Sequence, residues 1–469
     1  MCRNKGLIIG IISLFAVIIP GCGNKDDGNP ENIRINNWVR SNMDLYYLWN
    51  TQMPNADKNL YPSDYFEKLR FSEDRFSLIH DNFEDIMNSL SGVNTESGYD
   101  YNLVLLNDVD IIGYVTYIKP NSPAESSGSL KRGDFFMRIN GKSMTIDNYE
   151  DLLSETAFRH SLGKVNISGN TITEGETIQL DVTEYKENPI LLDTIYQING
   201  RKIGYFVYNF FARDNVDSGI AFEKELNDLF GKFKSEGIND LIIDLRYNGG
   251  GAVVTSIALA SMVSKCTTND VFSIDQYNDD LHAYYQNYYG TGYNITRFID
   301  RIEKYEGDFL TEVVPINQLG LDRLHVIVSR RTASASELLI NGLKPYMDVV
   351  IIGNQTYGKN VGSVPFYEED PIKQQTNKWI ILPIIAKFAN AREDSGYGNG
   401  FSPDIEVSEI ENLTLKPLGD TDELMLGAAL DRIAGTERRT QKNIKNVKII
   451  GSSADRTPAR QNMYITPRR

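Results

Sequence analysis

The chain has 469 residues, of which 41% are hydrophobic and 24% are charged. This is the composition of a globular protein with room for two or three domains, and it argues against a disordered or fibrous chain. The formal net charge of −15 argues against nucleic acid as a partner. The histidines are scattered without the spacing of a metal site, so we predict neither a metal nor a cofactor.

The N-terminus has the pattern of a targeting segment. Arg3 and Lys5 precede an apolar run at 7–19, which is too short to span a bilayer comfortably. The next residues, IPGC at 19–22, resemble a bacterial lipoprotein box. The resemblance implies a signal peptide at 1–21, a lipid on the sulfur of Cys22 and a polar tether at 22–32. The predicted location is the bacterial cell envelope, with the chain lipid-anchored to the outer membrane on its periplasmic or surface face; an ordinary signal peptide is the alternative.

Two regions precede the largest part of the chain. Residues 33–85 have a helical, aromatic pattern and predict a small helical N-terminal domain. Residues 86–187 are dominated by strand patterns, and the segment 112–141 resembles a PDZ domain. That resemblance implies a groove that takes an extended peptide as an added strand, which suits recognition of protein tails. A PDZ-like domain that only gates the site is an equal alternative.

Residues 188–435 predict an α/β core. Strand patterns at 324–328 and 349–352 flank a helical pattern, and this order predicts a βαβ unit with a parallel strand pair and a right-handed crossover. Ser334 follows the first strand and Lys359 follows the second. Because open α/β sheets build their sites at the carboxyl ends of strands, we expect these two side chains to meet there.

A serine and a lysine can perform nucleophilic catalysis together. A serine hydroxyl needs a base to remove its proton, and a lysine can serve once burial in an apolar pocket has lowered its pKa. Ser-Lys pairs are an established variant of the catalytic triad. The N–H of Ala335, at the start of the predicted helix, is a natural donor to an oxyanion.

A buried strand pattern at 240–246 runs into YNGGG at 247–251. Glycines allow a backbone to approach a ligand closely, so Gly250 and Gly251 are candidates for the oxyanion hole. Taken singly, such a glycine run is a turn, the segment 332–337 is a helix start and Gly358-Lys359 is a solvated loop. Their order and their positions at strand ends favour catalysis. The spacing of a phosphate-binding loop is absent.

These segments together resemble the S41 serine peptidases, the C-terminal processing or tail-specific protease family. The matching segments are DLRYNGGG at 244–251, TASASE at 332–337, GK at 358–359 and GFSPDIEV at 400–407. The resemblance implies a ClpP/crotonase-like α/β protease core of βαβ units, behind a PDZ-like domain and a helical domain. It also implies that Ser334 is the nucleophile, Lys359 is the general base and Glu337 is structural.

One position departs from the family pattern. The family usually places a glutamine four residues after the lysine, where it helps to orient the amine, whereas this chain has Ser363. Ser363 is the predicted third member of the site. The predicted function is an envelope serine endopeptidase that acts on protein or peptide substrates. The alternative is a non-catalytic peptide-binding protein on the same scaffold.

The end of the chain has a different composition. From Arg438 to Arg469, nine residues are Lys or Arg, and only Asp455 is acidic. This bias predicts a largely disordered tail at 436–469. The sequence leaves the oligomeric state and the cleavage preference open.

Overall fold

The computed structural model describes residues 29–106, 108–154, 159–168, 171–214, 216, 219–368, 377–410, 414–436, 449–456 and 463–465. The predicted signal peptide, the predicted lipidation site Cys22 and most of the predicted tether lie outside these residues. In the part of the chain that the structure describes, no helix is both long and apolar enough to span a membrane.

The N-terminal region is mainly helical, as its pattern predicts. Its elements are α1 (Pro30–Tyr46), α2 (Pro62–Leu69), β1 (Leu78–His80) and α3 (Phe83–Leu90). Helix α1 begins at a cap, because the Asn29 side chain accepts a hydrogen bond from the N–H of Glu31. Strand β1 pairs antiparallel with residues 380–382, so this region shares a sheet with a segment about 300 positions further along the chain.

The second region is built from strands with two short helices. Its elements are β2 (Val93–Glu96), β3 (Tyr99–Leu106), β4 (Asp110–Ile118), α4 (Pro123–Ser127), β5 (Phe135–Ile139), β6 (Lys142–Ser143), α5 (Tyr149–Ser154), β7 (Arg159–Ser168), β8 (Thr171–Asp181) and β9 (Thr183–Lys186). Strands β3, β4, β5, β7 and β8 are neighbours in that order in one sheet.

The third region contains the βαβ unit. Its elements are β10 (Ile190–Ile198), β11 (Arg201–Tyr208), α6 (Ala221–Glu236), β12 (Asp240–Asp244), α7 (Val253–Val263), β13 (Val271–Tyr277), α8 (Asp279–Tyr289), β14 (Ile295–Arg297), β15 (Arg301–Glu306), β16 (Phe309–Pro315), β17 (Arg323–Val328), α9 (Ala335–Leu343), β18 (Asp348–Gly353), β19 (Val361–Ser363), β20 (Phe366–Tyr367), β21 (Ile380–Leu382), β22 (Ile384–Ala389), β23 (Ile405–Glu406) and α10 (Leu424–Ala434).

The central sheet of this region has the strand order β10-β11-β12-β17-β18-β23. Strands β11, β12, β17, β18 and β23 run parallel, and β10 pairs antiparallel at one edge. The predicted βαβ unit is therefore confirmed as β17-α9-β18. The segments after β12, β17 and β18 meet at one edge of the sheet because all three strands point the same way.

Helices cover both faces of this sheet. Helices α6, α7 and α9 pack on one face, and α10 packs on the other. All residues of β12 and α9 are buried, and the interior of β12, Leu241 to Ile243, is continuously apolar, as in a strand that is covered on both faces. A rigid, fully buried platform thus carries the loops that follow the strands.

The C-terminal tail is more ordered than its composition predicts. Residues Ile449–Ser452 form strand β24, which pairs antiparallel with β3, and Ser453–Arg456 form a 3-10 helix. Met463 and Tyr464 are fully buried against the third region. The prediction of disorder is wrong for these residues, because short apolar runs inside a basic segment complete strand edges elsewhere in the fold. The rest of the tail lies outside the described residues.

Candidate active site

Ser334 lies between β17 and α9 in an unusual backbone conformation. Its φ is +65° and its ψ is −119°, although it is not a glycine. Such a conformation costs about 1–3 kcal/mol and is found mainly where function requires it. The residue is fully buried, and its Oγ has no hydrogen-bond partner among the described residues. A strained turn between a strand and a helix therefore presents this hydroxyl at the sheet edge.

Lys359 follows β18 and is only 2% exposed. Burial lowers the pKa of Lys359 to about 7, while the negative charges of Asp74 and Glu337 act in the opposite direction. The Nζ atom lies 4.9 Å from the centre of the Phe76 ring. A lysine in this environment can lose its proton near neutral pH, as general-base chemistry requires.

Glu337 holds the two residues at one point. One carboxylate oxygen, Oε2, accepts hydrogen bonds from the N–H of Ser334 at 2.9 Å and the N–H of Lys359 at 2.8 Å. The other oxygen, Oε1, accepts from the Thr356 hydroxyl and the N–H of Gly358. We predicted a structural role for Glu337, and the structure extends that role from the helix start to the lysine loop.

The structure thus brings Ser334 and Lys359 together through their main chains. Because Ser334 Oγ has no hydrogen-bond partner among the described residues, no direct bond joins it to Nζ of Lys359. Catalytic hydrogen bonds often tighten only when substrate is bound.

The glycine segment packs directly against the serine. Gly250 has a φ of +117°, and a Cβ on it would lie 2.5 Å from Cβ of Ser334 and 3.0 Å from the N atom of Ala335. Gly251 has a φ of +129°, and a Cβ there would lie 2.2 Å from the carbonyl oxygen of Phe211. Both positions therefore require glycine, for backbone conformation and for space.

The predicted oxyanion donors differ in their present partners. The N–H of Gly250 donates to Oδ1 of Asn248 at 2.9 Å, so this donor is engaged within the turn, and its oxyanion role stays a prediction. The N atom of Ala335 lies 3.0 Å from the position of a Cβ on Gly250, so it is close to the glycine segment. Asn248 also donates to the carbonyl of Tyr208 at 2.9 Å, which fixes the turn. Sequence reasoning gave Asn248 no role, although it stands inside the matching segment at 244–251.

Ser363 bonds to the C-terminal tail. Its N–H donates to the carbonyl of Met463 at 2.9 Å, and its hydroxyl donates to the same oxygen at 3.3 Å. Its carbonyl accepts from the N–H of Ile465 at 2.9 Å. The tail thus engages the main-chain and side-chain polar groups of this serine, and the role of Ser363 as third member of the site stays a prediction.

The N-terminal region supplies part of the site, which sequence reasoning missed. Asp74 is buried and accepts from the Tyr47 hydroxyl at 2.8 Å and from the N–H groups of Phe76 and Ser77. Arg75 donates to the carbonyl of Gly358 at 3.2 Å. The segment 74–77 therefore forms a wall over the lysine loop. The sequence signal for this wall is weak, because nothing near residues 74–77 in the chain indicates which distant loop they contact.

A buried ionic cluster at the end of β12 stabilises the glycine segment that follows this strand. Arg246 is fully buried and donates to Asp244 at 2.7 Å and to both oxygens of Glu423 at 2.8 and 2.9 Å. Burial alone would raise the pKa of Glu423, but Arg246 lowers that pKa below its ordinary value. The cluster ties the end of β12 to the start of α10, so the turn at 247–251 has a fixed base.

Comparison with known proteins identifies the family. The family described as Peptidase family S41 matches residues 202–407, and the Peptidase S41 N-terminal domain matches residues 34–78. The two matches together span more than half of the chain. The chain belongs to peptidase family S41. The first match contains Ser334, Lys359 and the glycine segment, and the second reaches the wall at 74–77.

Relatives of this S41 chain include named proteases. A Staphylococcus aureus protein named as a CtpA-like serine protease is 24% identical over 347 residues, which are 71% of this chain and 56% of that relative. This chain thus matches little more than half the length of that relative. A carboxyl-terminal-processing protease from Picosynechococcus is 25% identical over 328 residues, 69% of this chain and 67% of the relative.

A solved structure resembles this S41 chain over most of its length. It is the crystal structure of a protein described as an S41 protease from Bacteroides fragilis. The TM-score is 0.66 at 27% identity, and the match covers 85% of this chain and 97% of the other. The mixed α/β fold with several regions is therefore shown.

Proposed function

We propose that this chain is a serine endopeptidase with Ser334 as nucleophile and Lys359 as general base. The observation that carries the proposal is the Glu337 carboxylate, which binds the main-chain N–H groups of both residues. Burial with a pKa lowered to about 7 supports the base role of Lys359. The Ser334 hydroxyl, which has no hydrogen-bond partner in the described part of the chain, and the strained backbone of this residue support the nucleophile role.

In the acylation step, Oγ of Ser334 forms a bond to the carbonyl carbon of the scissile peptide. The neutral amine of Lys359 takes the hydroxyl proton, and the carbonyl oxygen becomes an oxyanion. Collapse of this intermediate breaks the C–N bond, and the proton passes from Lys359 to the leaving amine. An ester between Ser334 and the N-terminal fragment results.

In the deacylation step, Lys359 takes a proton from water as the water attacks the ester. A second oxyanion forms, and its collapse breaks the bond between the acyl carbon and Oγ. The N-terminal fragment leaves with a new carboxyl group, and the proton passes from Lys359 to Oγ of Ser334. We assign the oxyanion donors to the N–H groups of Ala335 and Gly251. Gly250 acts through its shape, because a side chain there would displace Ser334.

The test is cleavage of an unstructured protein, read by mass spectrometry of the fragments. We expect fragments from the wild-type chain and at least a 1,000-fold loss in Ser334→Ala and in Lys359→Ala, roughly the effect of removing a catalytic group elsewhere. Ser336→Ala is the matched control. Among the described residues the Ser336 hydroxyl donates to the carbonyl of Asn248, and we expect this variant to cleave normally. Activity that survives in Ser334→Ala would exclude this mechanism. Equal inactivity of all forms, with peptide binding retained, would favour the non-catalytic alternative.

We further propose that substrates are proteins or peptides recognised by their C-terminal tails. Two observations support this class: a relative bears the name carboxyl-terminal-processing protease, and β3 accepts an added antiparallel strand. The PDZ-like groove of the second region would use that edge. Moving the cut-site sequence of a substrate from its C-terminus to its middle should abolish cleavage, and equal cleavage of both would contradict tail recognition.

The proposed location is the cell envelope, with a lipid on Cys22 as anchor. The support is the sequence pattern at the N-terminus alone. Metabolic labelling with a fatty acid should mark the wild-type chain and not Cys22→Ser. Equal labelling of both, or a mature chain that lacks Cys22, would contradict the proposal.

A further inference from the structure

The C-terminal tail lies on two separate strand edges. Strand β24 is added at the edge of the second region, where Ile449 pairs with Val104 and Ser452 pairs with Asn102. The neighbouring Ile450 packs against the hydrophobic core of that region together with Tyr149 of α5. This edge is the one that an extended peptide would use.

The second edge lies between the segment that follows the glycine run and strand β19. Tyr464 donates its N–H to the carbonyl of Gly251 and accepts from the N–H of Val253, both at 3.1 Å. On the other side, Ser363 bonds to Met463 and Ile465 at 2.9 Å each. The tripeptide Met463–Ile465 is therefore held as a parallel strand on both sides.

The Tyr464 side chain fills an apolar pocket. It is fully buried in a cluster from four parts of the chain, namely α3, the segment between β11 and α6, the residue after the glycine segment and β21, with the members Ile86, Leu90, Val216, Ala252, Ile380 and Leu382. Burial of a large side chain contributes about 1.5–3 kcal/mol, so this pocket can select an aromatic or large apolar residue.

The tripeptide is joined to the nucleophile turn through the glycine segment. Gly251, whose carbonyl binds the N–H of Tyr464, follows Gly250, and a Cβ on Gly250 would lie 2.5 Å from Cβ of Ser334. Because the strands are parallel, the Met463 end of the tripeptide faces the Ser334 side. The tail also carries excess positive charge in a chain whose net charge is −15, which favours its association with the rest of the molecule.

We propose that Ile449–Ser452 and Met463–Ile465 form a built-in ligand that competes with substrate for both strand edges. The inference rests on the proposed function, because it takes the cleft beside Ser334 as the substrate site. Substrates must displace the tail, and those with a large apolar side chain for the Tyr464 pocket compete best. The apparent affinity for substrate is reduced by the fraction of molecules whose cleft is filled.

The test compares Tyr464→Asp with the matched control Phe309→Asp in the full-length chain. Phe309 is 77% exposed on β16, so its substitution makes the same chemical change away from the cleft. With fluorescently labelled casein as the probe, Tyr464→Asp should lower KM on the order of tenfold, as expected for a cleft filled in about nine molecules of ten. The kcat should change little, and Phe309→Asp should behave like the wild type. A folded Tyr464→Asp chain with unchanged KM would overturn the proposal.

A synthetic peptide of residues 459–469 should inhibit Tyr464→Asp competitively. The same peptide with aspartate at the tyrosine position should not inhibit. Inhibition by neither peptide would overturn the proposal, and so would trimming of the tail by the wild-type chain, because the tail would then be a substrate.

Hydrogen exchange on the unaltered chain avoids any folding defect of the variant. Excess 459–469 peptide should speed exchange at the chain's own Tyr464 and Ile465, and unchanged protection would mean a permanent structural strand.

Anisotropy of labelled 459–469 peptide with the Ser334→Ala, Tyr464→Asp double variant separates the two proposals. If the 459–469 peptide binds but no form of the chain cleaves casein, the peptidase function is contradicted and the tail site is supported. If casein is cleaved but the peptide does not bind, the peptidase function is supported and the tail proposal is contradicted.

Discussion

The Glu337 carboxylate organises the site at the scale of single residues. It accepts four hydrogen bonds from the serine turn and the lysine loop and donates none. Burial raises the pKa of Glu337, and these donors act to lower it. An ionised carboxylate can accept from four donors at once, whereas an amide would turn its own NH₂ group towards some of them.

Glu337→Gln should lower kcat/KM on the order of 100-fold, because the amide nitrogen would face N–H donors and displace Ser334 or Lys359 slightly. The charge of Glu337 raises the pKa of Lys359, so its removal should also move the acid limb of the pH profile to lower pH. Steady-state kinetics from pH 5 to 9 measure both effects. Glu312→Gln, a half-exposed surface carboxylate, is the control. A variant with normal activity would show that the network is dispensable.

The wild-type pH profile itself tests the role of Lys359. Its amine must be neutral to act as a base, and its pKa is about 7. We expect kcat/KM to rise roughly tenfold per pH unit below this value and to level off above it. If kcat/KM instead rises with a midpoint near pH 10, Lys359 stays charged in the free enzyme at neutral pH. That result would contradict the base assignment.

At the scale of elements, the Arg246 cluster joins β12 to α10. Arg246→Met would leave Asp244 and Glu423 buried without their cation, and should reduce the free energy of unfolding by about 3–5 kcal/mol. Urea denaturation measures the loss. Lys202→Met, whose partner Glu236 is exposed, is the control and should cost less than about 1 kcal/mol. Equal stability of both variants would show that the cluster contributes no more than a surface pair.

At the scale of the whole molecule, ion pairs dock the second region on the catalytic region. Arg331, close to Ser334 in sequence, binds both oxygens of Asp100 at 2.6 and 3.0 Å. Burial would raise the pKa of Asp100, but Arg331 lowers it to about 2. Because the pKa of Asp100 is depressed, the Arg331–Asp100 pair contributes fully to the free energy of unfolding above the ordinary aspartate range. This contribution is lost as the pH falls towards 2.

Arg331→Met should therefore loosen the docking of the second region, because Asp100 would lose its cation in a buried position. Small-angle scattering should show a larger radius of gyration than in the wild type. Arg138→Met breaks an exposed pair with Glu174 within the second region and should leave the radius unchanged. An unchanged radius in Arg331→Met would assign the docking to other contacts.

The βαβ unit and the convergence of Ser334, Lys359 and the glycine segment follow from the sequence by itself. Apolar periodicity sets the strands and helices locally, and parallel strands bring their carboxyl ends to one edge whatever the rest of the chain does. The predicted domain boundaries stay predictions. Nothing in the sequence indicates that β1 and β21 pair in one sheet.

The tertiary structure decided which distant segments complete the site. The wall at 74–77 over Lys359, the engagement of Gly250 by Asn248 and the tail strand on Ser363 all depend on contacts within the folded molecule. Composition predicted a disordered tail because an average over many basic residues hides a short apolar run such as Met463–Ile465. Such a run is stabilised only by an unpaired strand edge and an apolar pocket, and these exist only once the chain has folded.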